Sequence, residues 1–189
     1  MKRIIIIIIT SIIIIITTTT IIIIIIITTT CRHACPIIAS GSSLIATAET
    51  GSGKTAAYLA PIISRIVHVR ADWVSSRDAR QPDAVIVAPT HELVQQIAKA
   101  AHMLARGTGV RVAVASGNLD SKQQRLELSR GCDVLVASKG RLLQMVEDRK
   151  ISLEHTQTLC LDEADVLLQG VHACHLHVSI LYSMHHLLS

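Results

Sequence analysis

Aromatic residues are scarce in this chain of 189 residues, which has no phenylalanine, one tryptophan (Trp73) and two tyrosines (Tyr58 and Tyr182). This scarcity argues against nucleic-acid binding by stacking of bases on aromatic rings. The five cysteines have no regular spacing, which argues against a disulfide framework. A formal charge of +4 is too small to indicate nucleic-acid binding by itself. At this length the chain holds one domain at most.

What the chain does contain is a phosphate-binding loop. Residues 48–55 read Ala-Glu-Thr-Gly-Ser-Gly-Lys-Thr, with alanine where the usual pattern begins with glycine. Gly51 and Gly53 allow a tight turn that points backbone N–H groups at phosphate oxygens. Lys54 offers a positive charge to the outer phosphates, and the Thr55 hydroxyl is suited to binding Mg²⁺. The predicted nucleotide-binding residues are Glu49, Thr50, Gly51, Ser52, Gly53, Lys54 and Thr55.

An acidic motif follows the apolar run Leu159-Cys160-Leu161, where residues 162–165 read Asp-Glu-Ala-Asp. Four such common residues could begin a solvated helix, but their combination with the phosphate loop favours a magnesium–nucleotide site. Asp162 would then hold the metal, and Glu163 would orient or deprotonate the attacking water. The predicted catalytic residues are Lys54, Asp162 and Glu163, and the predicted metal ligands are Thr55 and Asp162.

Apolar strands and amphipathic helices alternate from Ser43 onward, which predicts an α/β domain with a parallel sheet flanked by helices. The ligands of such a sheet lie at the carboxyl ends of its strands. The predicted strands are Ser43–Ala48, Ala84–Ala88, Arg111–Ala115, Asp133–Ala137 and Thr156–Leu161. The predicted helices are Lys54–Val69, with Pro61 as a kink or break, His91–Arg106, Ser121–Arg130 and Lys139–Arg149.

Together the motifs resemble the first RecA-like domain of a DEAD-box RNA helicase, from about Arg32 to about Gly170. The segment Ala-Pro-Thr-His-Glu-Leu, for example, resembles the family's Pro-Thr-Arg-Glu-Leu motif, with His91 in place of arginine. The matching segments, in family order, are residues 51–61, 88–93, 116–118, 131–141 and 161–165. The resemblance implies ATP and Mg²⁺ as cofactors and RNA as a partner. It implies RNA contacts by Pro89, Thr90, Gly117, Ser138, Gly140 and Arg141, although Thr90 and Ser138 could serve only as helix caps.

The sequence departs from the family pattern in three places. Cys31 falls where the family has a glutamine that reads adenine, which puts ATP selectivity in doubt. The family's Ser-Ala-Thr motif is not present as such, and its strand lies in the family fold between the phosphate-loop strand and the Asp-Glu-Ala-Asp strand. We expect the segment Leu176–Ser183 to fill this position. If it does not, we expect the domain to be only marginally stable. The family's second RecA-like domain, which supplies arginine fingers, is not found in this sequence.

Both ends of the chain are unusual. Residues 4–30 are blocks of isoleucine and threonine, for which three interpretations compete: a membrane span over Ile4 to Ile27, a signal peptide, or a low-complexity expansion. We favour the low-complexity interpretation and expect the tract to be dispensable for nucleotide binding. The histidine-rich end favours a diverged or truncated segment over a metal site. The predicted divisions are a tract over 1–30, the helicase ATP-binding domain over 31–170 and a divergent segment over 171–189.

The leading functional hypothesis is the ATP-binding domain of a DEAD-box RNA helicase, which would couple Mg–ATP hydrolysis to RNA binding and remodelling. Without a second domain, such a chain is expected not to unwind RNA. The alternative is a catalytically dead nucleotide- or RNA-binding fragment, membrane-anchored if residues 4–27 cross a bilayer. A nucleotide-binding domain favours a cytoplasmic or nuclear location over a membrane-anchored one. Protein partners, or the missing second helicase domain, are further expectations.

Overall fold

A computed structural model describes residues 31–49, 51–70, 81–117, 128 and 130–167, and the backbone of residues 4–10. The strands are β1 (Ile4–Thr10), β2 (Leu44–Ala48), β3 (Ala84–Ala88), β4 (Val112–Ala115), β5 (Val134–Ser138) and β6 (Thr158–Leu161). The helices are α1 (residues 31–39), α2 (Lys54–Arg70), α3 (His91–Ala105), α4 (Lys139–Glu147) and the single turn α5 (Ala164–Leu167).

The six strands form one sheet in the order β2-β1-β6-β3-β5-β4, and every neighbouring pair is parallel. The predicted α/β class with a parallel sheet is therefore confirmed. The predicted strands from Ser43 onward lie within two residues of those observed. All five residues of β3 and of β5 are buried, as expected for the inner strands of a parallel sheet that is covered on both faces.

Alternate residues of the inner strands supply two hydrophobic cores, one on each face of the sheet. Ile86 and Val134 face the core that contains residues of α1, α2 and α3. Val85 and Leu135 face the opposite core, which contains residues of α4 and α5. This two-residue alternation follows from the pleat of a strand, which points successive side chains to opposite faces.

The first strand of the sheet comes from the isoleucine tract. The backbone of Ile4–Thr10 lies between β2 and β6 and is parallel to both, with Ile6 opposite Leu44 on one side and Cys160 on the other. This is the position in which Leu176–Ser183 was expected, and that segment lies outside the described residues. The predicted division placed residues 1–30 outside the domain, whereas in the structure Ile4–Thr10 is a strand of its sheet and separates the two motif-bearing strands.

A strand in this sheet and a membrane-spanning helix exclude each other for residues 4–10, and the structure has the strand. Within the described ranges, no helix combines the length and the apolar character that crossing a bilayer requires. The same ranges contain no group of three or more metal-binding side chains, and the histidine-rich segment 171–189 lies outside them.

One predicted helix differs from the expectation, and another lies mostly outside the described residues. Helix α2 is continuous from Lys54 to Arg70 with Pro61 inside it, so the predicted break does not occur. The predicted helix Ser121–Arg130 lies outside the described residues except for Leu128, which is helical and buried, and Arg130, which is in a turn.

Candidate nucleotide and RNA sites at the carboxyl edge of the sheet

Every motif found in the sequence follows the carboxyl end of a strand, so all of them lie along one edge of the sheet. The strand order divides this edge into two halves. The phosphate loop follows β2 and the acidic pair follows β6, with β1 between them. The segments proposed to contact RNA follow β3, β5 and β4, which are neighbours in the other half. The fold therefore separates the predicted nucleotide residues from the predicted RNA residues.

The phosphate loop has the backbone that its glycines predict. Gly51 and Gly53 have positive φ angles of 81° and 78°, a conformation that other residues adopt only with strain. The N–H of Ala57 donates to the Gly53 carbonyl at 3.0 Å, so the helical hydrogen bonds of α2 begin within the loop. Thr50 lies outside the described residues. The loop therefore delivers the chain directly from β2 into the N-terminus of a helix, where anions are favoured.

Among the described residues of the loop, Ser52 alone is buried. It is 2% exposed, and its Oγ has no hydrogen-bond partner within the described part of the chain. A buried hydroxyl without a partner costs folding free energy, so an acceptor or donor is needed at this point. A phosphate group in the loop is a ligand whose chemistry would satisfy it.

Lys54 turns its amino group back onto the loop. Its Nζ donates to the carbonyl of Glu49 at 2.7 Å and also to the carbonyl of Ala48. Burial lowers the pKa of Lys54 from its usual value, and four nearby carboxylates oppose that change. These carboxylates belong to Asp162, Glu163, Asp165 and Glu49. The ammonium therefore lies between the phosphate loop and the acidic motif, where it can exchange carbonyl partners for phosphate oxygens.

Asp162 is held by contacts to both of its carboxylate oxygens. Its Oδ2 accepts a hydrogen bond from the hydroxyl of Tyr58 at 2.9 Å, and its Oδ1 accepts one from the Glu163 N–H at 3.0 Å. Burial raises the pKa of Asp162, while these two hydrogen bonds and the charge of Lys54 oppose the rise. Its own N–H donates to the Val87 carbonyl at 2.9 Å, which extends the ladder between β6 and β3. The strand end therefore fixes the backbone, and the hydrogen bonds fix the carboxylate.

Glu163 adopts a backbone conformation that is unusual for its residue type. Its φ of 51° lies in the left-handed region, and its carbonyl accepts hydrogen bonds from Val166 and Leu167 as α5 begins. Burial raises the pKa of Glu163, and the negative charges of Asp162 and Asp165 raise it further. Strained backbone of this kind is concentrated at functional sites. A carboxylate with a raised pKa is also better matched to accepting a proton near neutral pH.

The residues around the loop fit a magnesium–nucleotide complex by their chemistry. Mg²⁺ prefers oxygen ligands, and Thr55 and Asp162 offer a hydroxyl and a carboxylate. Tyr58 follows Thr55 by three residues on the same face of α2, and its hydroxyl donates to Asp162, so the helix that carries one predicted metal ligand contacts the other. The unpartnered Ser52 hydroxyl and the glycine turn supply the phosphate side of the site.

The residues predicted to contact RNA have different surroundings. Thr90 is exposed and caps α3, where its Oγ1 accepts the Leu93 N–H at 3.2 Å. Ser138 precedes α4 but makes no capping hydrogen bond with its side chain, and it is only 7% exposed. Arg141 is partly exposed and donates from Nη1 to Gln144 Oε1 at 2.7 Å. Pro89 is partly buried, and Gly117 and Gly140 are exposed.

His91, which replaces the family's arginine, joins two of the RNA-side segments. Its Nδ1 lies 2.6 Å from the Oγ of Ser116, which is fully buried. A Cβ added at Gly117 would lie 3.3 Å from His91 Cε1, so the imidazole lies directly against the backbone there. The turn after β3 is therefore tied to the turn after β4.

Sequence reasoning missed two functional candidates, Tyr58 and Ser116. The spacing of Tyr58 gave a usable signal, because it follows Thr55 by three residues and so lies on the same face of α2. Ser116 gave none, because its contact with His91 depends on how β4 and α3 pack. Both contacts join elements that are distant in the sequence.

A parallel sheet with a phosphate loop after one strand and an Asp-Glu pair after another defines a phosphate-loop NTPase domain of the RecA-like type. The family model described as DEAD/DEAH box helicase matches residues 28–184. The chain therefore belongs to the DEAD/DEAH box helicase family.

Curated relatives agree with this assignment. The chain is 42% identical over 144 residues to the protein named DEAD-box ATP-dependent RNA helicase 52A of Oryza sativa subsp. japonica. The aligned region covers 72% of this chain and 24% of that protein. It is 41% identical over 137 residues to a probable ATP-dependent RNA helicase DDX4 of Pelophylax lessonae, and the aligned region covers 72% of this chain and 19% of that protein. The chain thus spans a quarter or less of the length of these relatives.

Solved structures give the same fold. A hypothetical ATP-dependent RNA helicase from Sulfolobus tokodaii is similar with a TM-score of 0.68 and 27% identity, over 83% of this chain and 42% of that one. The RNA helicase Prp28 from Chaetomium thermophilum bound to ADP is similar with a TM-score of 0.65 and 33% identity, over 77% of this chain and 37% of that one. The RecA-like fold expected from the resemblance is therefore confirmed.

Proposed function

We propose that this domain binds Mg–ATP between the phosphate loop and Asp162, and holds a single RNA strand along the ends of β3, β5 and β4. The observation that carries the nucleotide part is the Tyr58–Asp162 hydrogen bond of 2.9 Å between residues 104 positions apart in the sequence. This contact brings the phosphate-loop helix and the acidic strand end together. The names of the curated relatives, which are ATP-dependent RNA helicases, support the choice of ATP and RNA.

The proposed role of each residue follows from its contacts. Lys54 and the loop N–H groups would bind the phosphates, and Thr55 and Asp162 would hold Mg²⁺, which neutralises phosphate charge when bound. Glu163 would orient the attacking water and accept its proton. Thr90, Gly117, Gly140 and Arg141 would contact RNA phosphates, which positions a strand without reading its sequence. Ser138 is too buried for its side chain to be a main RNA contact, and its family role would require local opening.

Nucleotide titration tests this proposal. The full chain is expected to bind ATP weakly and more tightly with Mg²⁺ than without it, and to bind GTP within a few-fold of ATP, because Cys31 cannot make the paired hydrogen bonds of an amide. Affinities would be measured by calorimetry with Mg²⁺ and with EDTA. Lys54→Ala should remove the binding, while the matched variant Lys99→Ala, at an exposed position on α3, should retain it. Equal affinity in the two variants would remove the phosphate-loop assignment, and a strong preference for ATP would contradict the inference from Cys31.

His91→Arg is expected to strengthen binding of single-stranded RNA. The substitution adds a fixed charge at the start of α3, next to the turn after β4, and one exposed charge contact is worth roughly a threefold gain in affinity. The salt dependence should steepen by about 0.7 in a log–log plot, as for one more contact to a single-strand phosphate. Fluorescence anisotropy with labelled oligouridine at several salt concentrations measures both quantities.

The matched control is His102→Arg, which adds the same charge to the last turn of α3, at the far end of the helix from His91. It should change neither the affinity nor the salt slope beyond a general charge effect. If the two variants strengthen binding equally, the gain comes from net charge, and the proposed RNA path along this edge is wrong.

A further inference from the structure

We propose that Tyr58 is a positioning residue for the magnesium site, and that its hydroxyl holds the Asp162 carboxylate in the orientation in which it binds the metal. This inference rests on the proposed function, because it assumes that Asp162 is a magnesium ligand. It adds a residue with no role among the predicted site residues, one that lies one helical turn beyond the phosphate loop.

The surroundings of Tyr58 allow little freedom. The side chain is 1% exposed and is packed within the hydrophobic core that contains residues of α1, α2 and α3. Its ring therefore places the hydroxyl at a fixed point beneath the site. The hydroxyl is the only polar group of this side chain, and a buried phenol needs a hydrogen-bond partner.

A hydrogen bond links that hydroxyl to the metal site. It donates to Asp162 Oδ2 at 2.9 Å. Since the Glu163 N–H holds Oδ1, the contact with Tyr58 completes the orientation of the carboxylate. The hydrogen-bond partners of metal ligands orient them, and their loss typically weakens metal binding about tenfold to a hundredfold.

Tyr58→Phe removes the hydroxyl and keeps the ring. We expect the affinity for ADP in Mg²⁺ to fall at least about tenfold, with the affinity in EDTA unchanged. A fluorescent ADP analogue would be titrated into the full chain under both conditions. A role confined to packing would change both affinities together or neither. Equal affinity of the variant and the unsubstituted chain in Mg²⁺ would overturn the proposal.

Asp162→Asn provides a second variant for a double-mutant cycle. In that background Tyr58→Phe should have no further effect on the magnesium dependence, because the group that Tyr58 positions has lost its charge. A full additional loss would mean that Tyr58 acts by another route. The cycle also remains informative if Tyr58→Phe alone does not fold. A double variant that does fold would show that the single variant failed because it left the charge of Asp162 buried without its partner. Unfolding of both variants would indicate a purely structural role.

Metal binding without nucleotide separates this proposal from the proposed function. Mn²⁺ alone, followed by electron paramagnetic resonance, is the probe. Tyr58→Phe should weaken Mn²⁺ binding about tenfold, and Asp162→Asn should abolish it. If the chain binds Mn²⁺ in this pattern but no nucleotide, the proposed function fails and the role of Tyr58 remains. If the unsubstituted chain binds no Mn²⁺, or Tyr58→Phe binds it equally well, the role of Tyr58 is wrong.

Discussion

Proline at Ile6 and Ile7 is expected to abolish cooperative folding of this domain. Both residues lie in β1, paired with β2 on one side and β6 on the other. The N–H groups of consecutive residues in a strand point to opposite neighbours, so the double substitution removes a donor toward each. A buried backbone group left without a partner costs about 1–3 kcal/mol, and the loss of a strand paired on both sides multiplies that cost.

Removing residues 1–30 should have the same effect. β1 is paired with β2 over Ile6–Thr10 and with β6 over Ile4–Ile7. Each hydrogen bond between paired strands contributes about 1 kcal/mol net. The loss of all those between β1 and its two neighbours is therefore comparable with the free energy of unfolding of a domain, which is roughly 5–15 kcal/mol. The sequence alone predicted instead that the tract is dispensable for nucleotide binding, because it contains none of the motifs.

The matched control is proline at Ile13 and Ile14, in the next isoleucine block, which lies outside the described residues. Far-ultraviolet circular dichroism and thermal unfolding of the full-length variants would measure the outcome. We expect loss of the cooperative transition for the first pair and its retention for the second. If both pairs are tolerated, β1 is not required for the fold. If only the substitutions at Ile13 and Ile14 abolish folding, another isoleucine block fills the position between β2 and β6.

The sheet from Ser43 onward could be predicted because its signals are local. Short apolar runs such as Ala84–Ala88 are followed at once by a turn motif and an amphipathic helix, which is typical of βα units. The phosphate loop and the acidic pair then had to lie at the carboxyl edge, because every parallel strand ends there. The positions of Lys54 and Asp162 along that edge followed directly.

Strand β1 could not be predicted, because the isoleucine tract does not indicate which of its blocks pairs with the sheet. The blocks Ile4–Ile9, Ile12–Ile16 and Ile21–Ile27 are chemically equivalent in sequence. In an ordinary strand the alternation of apolar and polar side chains specifies the register, whereas a shift within a homopolymer leaves the pattern unchanged. Composition therefore suggested a repeat without a structural role, and only the pairing with β2 and β6 gives one block a place in the fold.

The finer geometry of the site depends on tertiary packing. The contact of Tyr58 with Asp162 requires α2 to pack on the sheet so that one face points toward the end of β6. The burial of Ser138 likewise depends on how α4 lies against its own strand. Residue types and spacing identify which side chains carry the chemistry, but they do not say which of these side chains touch.

The ATP turnover of this chain alone is expected to lie near background, and it should not unwind RNA. The charges that act on Lys54 explain why. In the described part of the chain, four carboxylates surround this one ammonium, and they belong to Glu49, Asp162, Glu163 and Asp165. Charge that develops on a transferring phosphoryl group needs further cations, and an arginine finger is worth about 10³–10⁵ in rate in related enzymes. In the family resemblance, a second RecA-like domain supplies these arginines.

Glu163→Gln is the control for residual chemistry, because it removes the proposed base and keeps the shape of the side chain. Phosphate release and strand displacement of a short RNA duplex would be measured with ATP and Mg²⁺ for both proteins. We expect strand displacement to be absent from both, and the phosphate release rates to agree within about tenfold, because both should lie near background without the charge that a second domain's arginines would supply. Turnover far above the Glu163→Gln rate would mean that the site stabilises the transition state with its own residues. The requirement for a second domain would then be wrong.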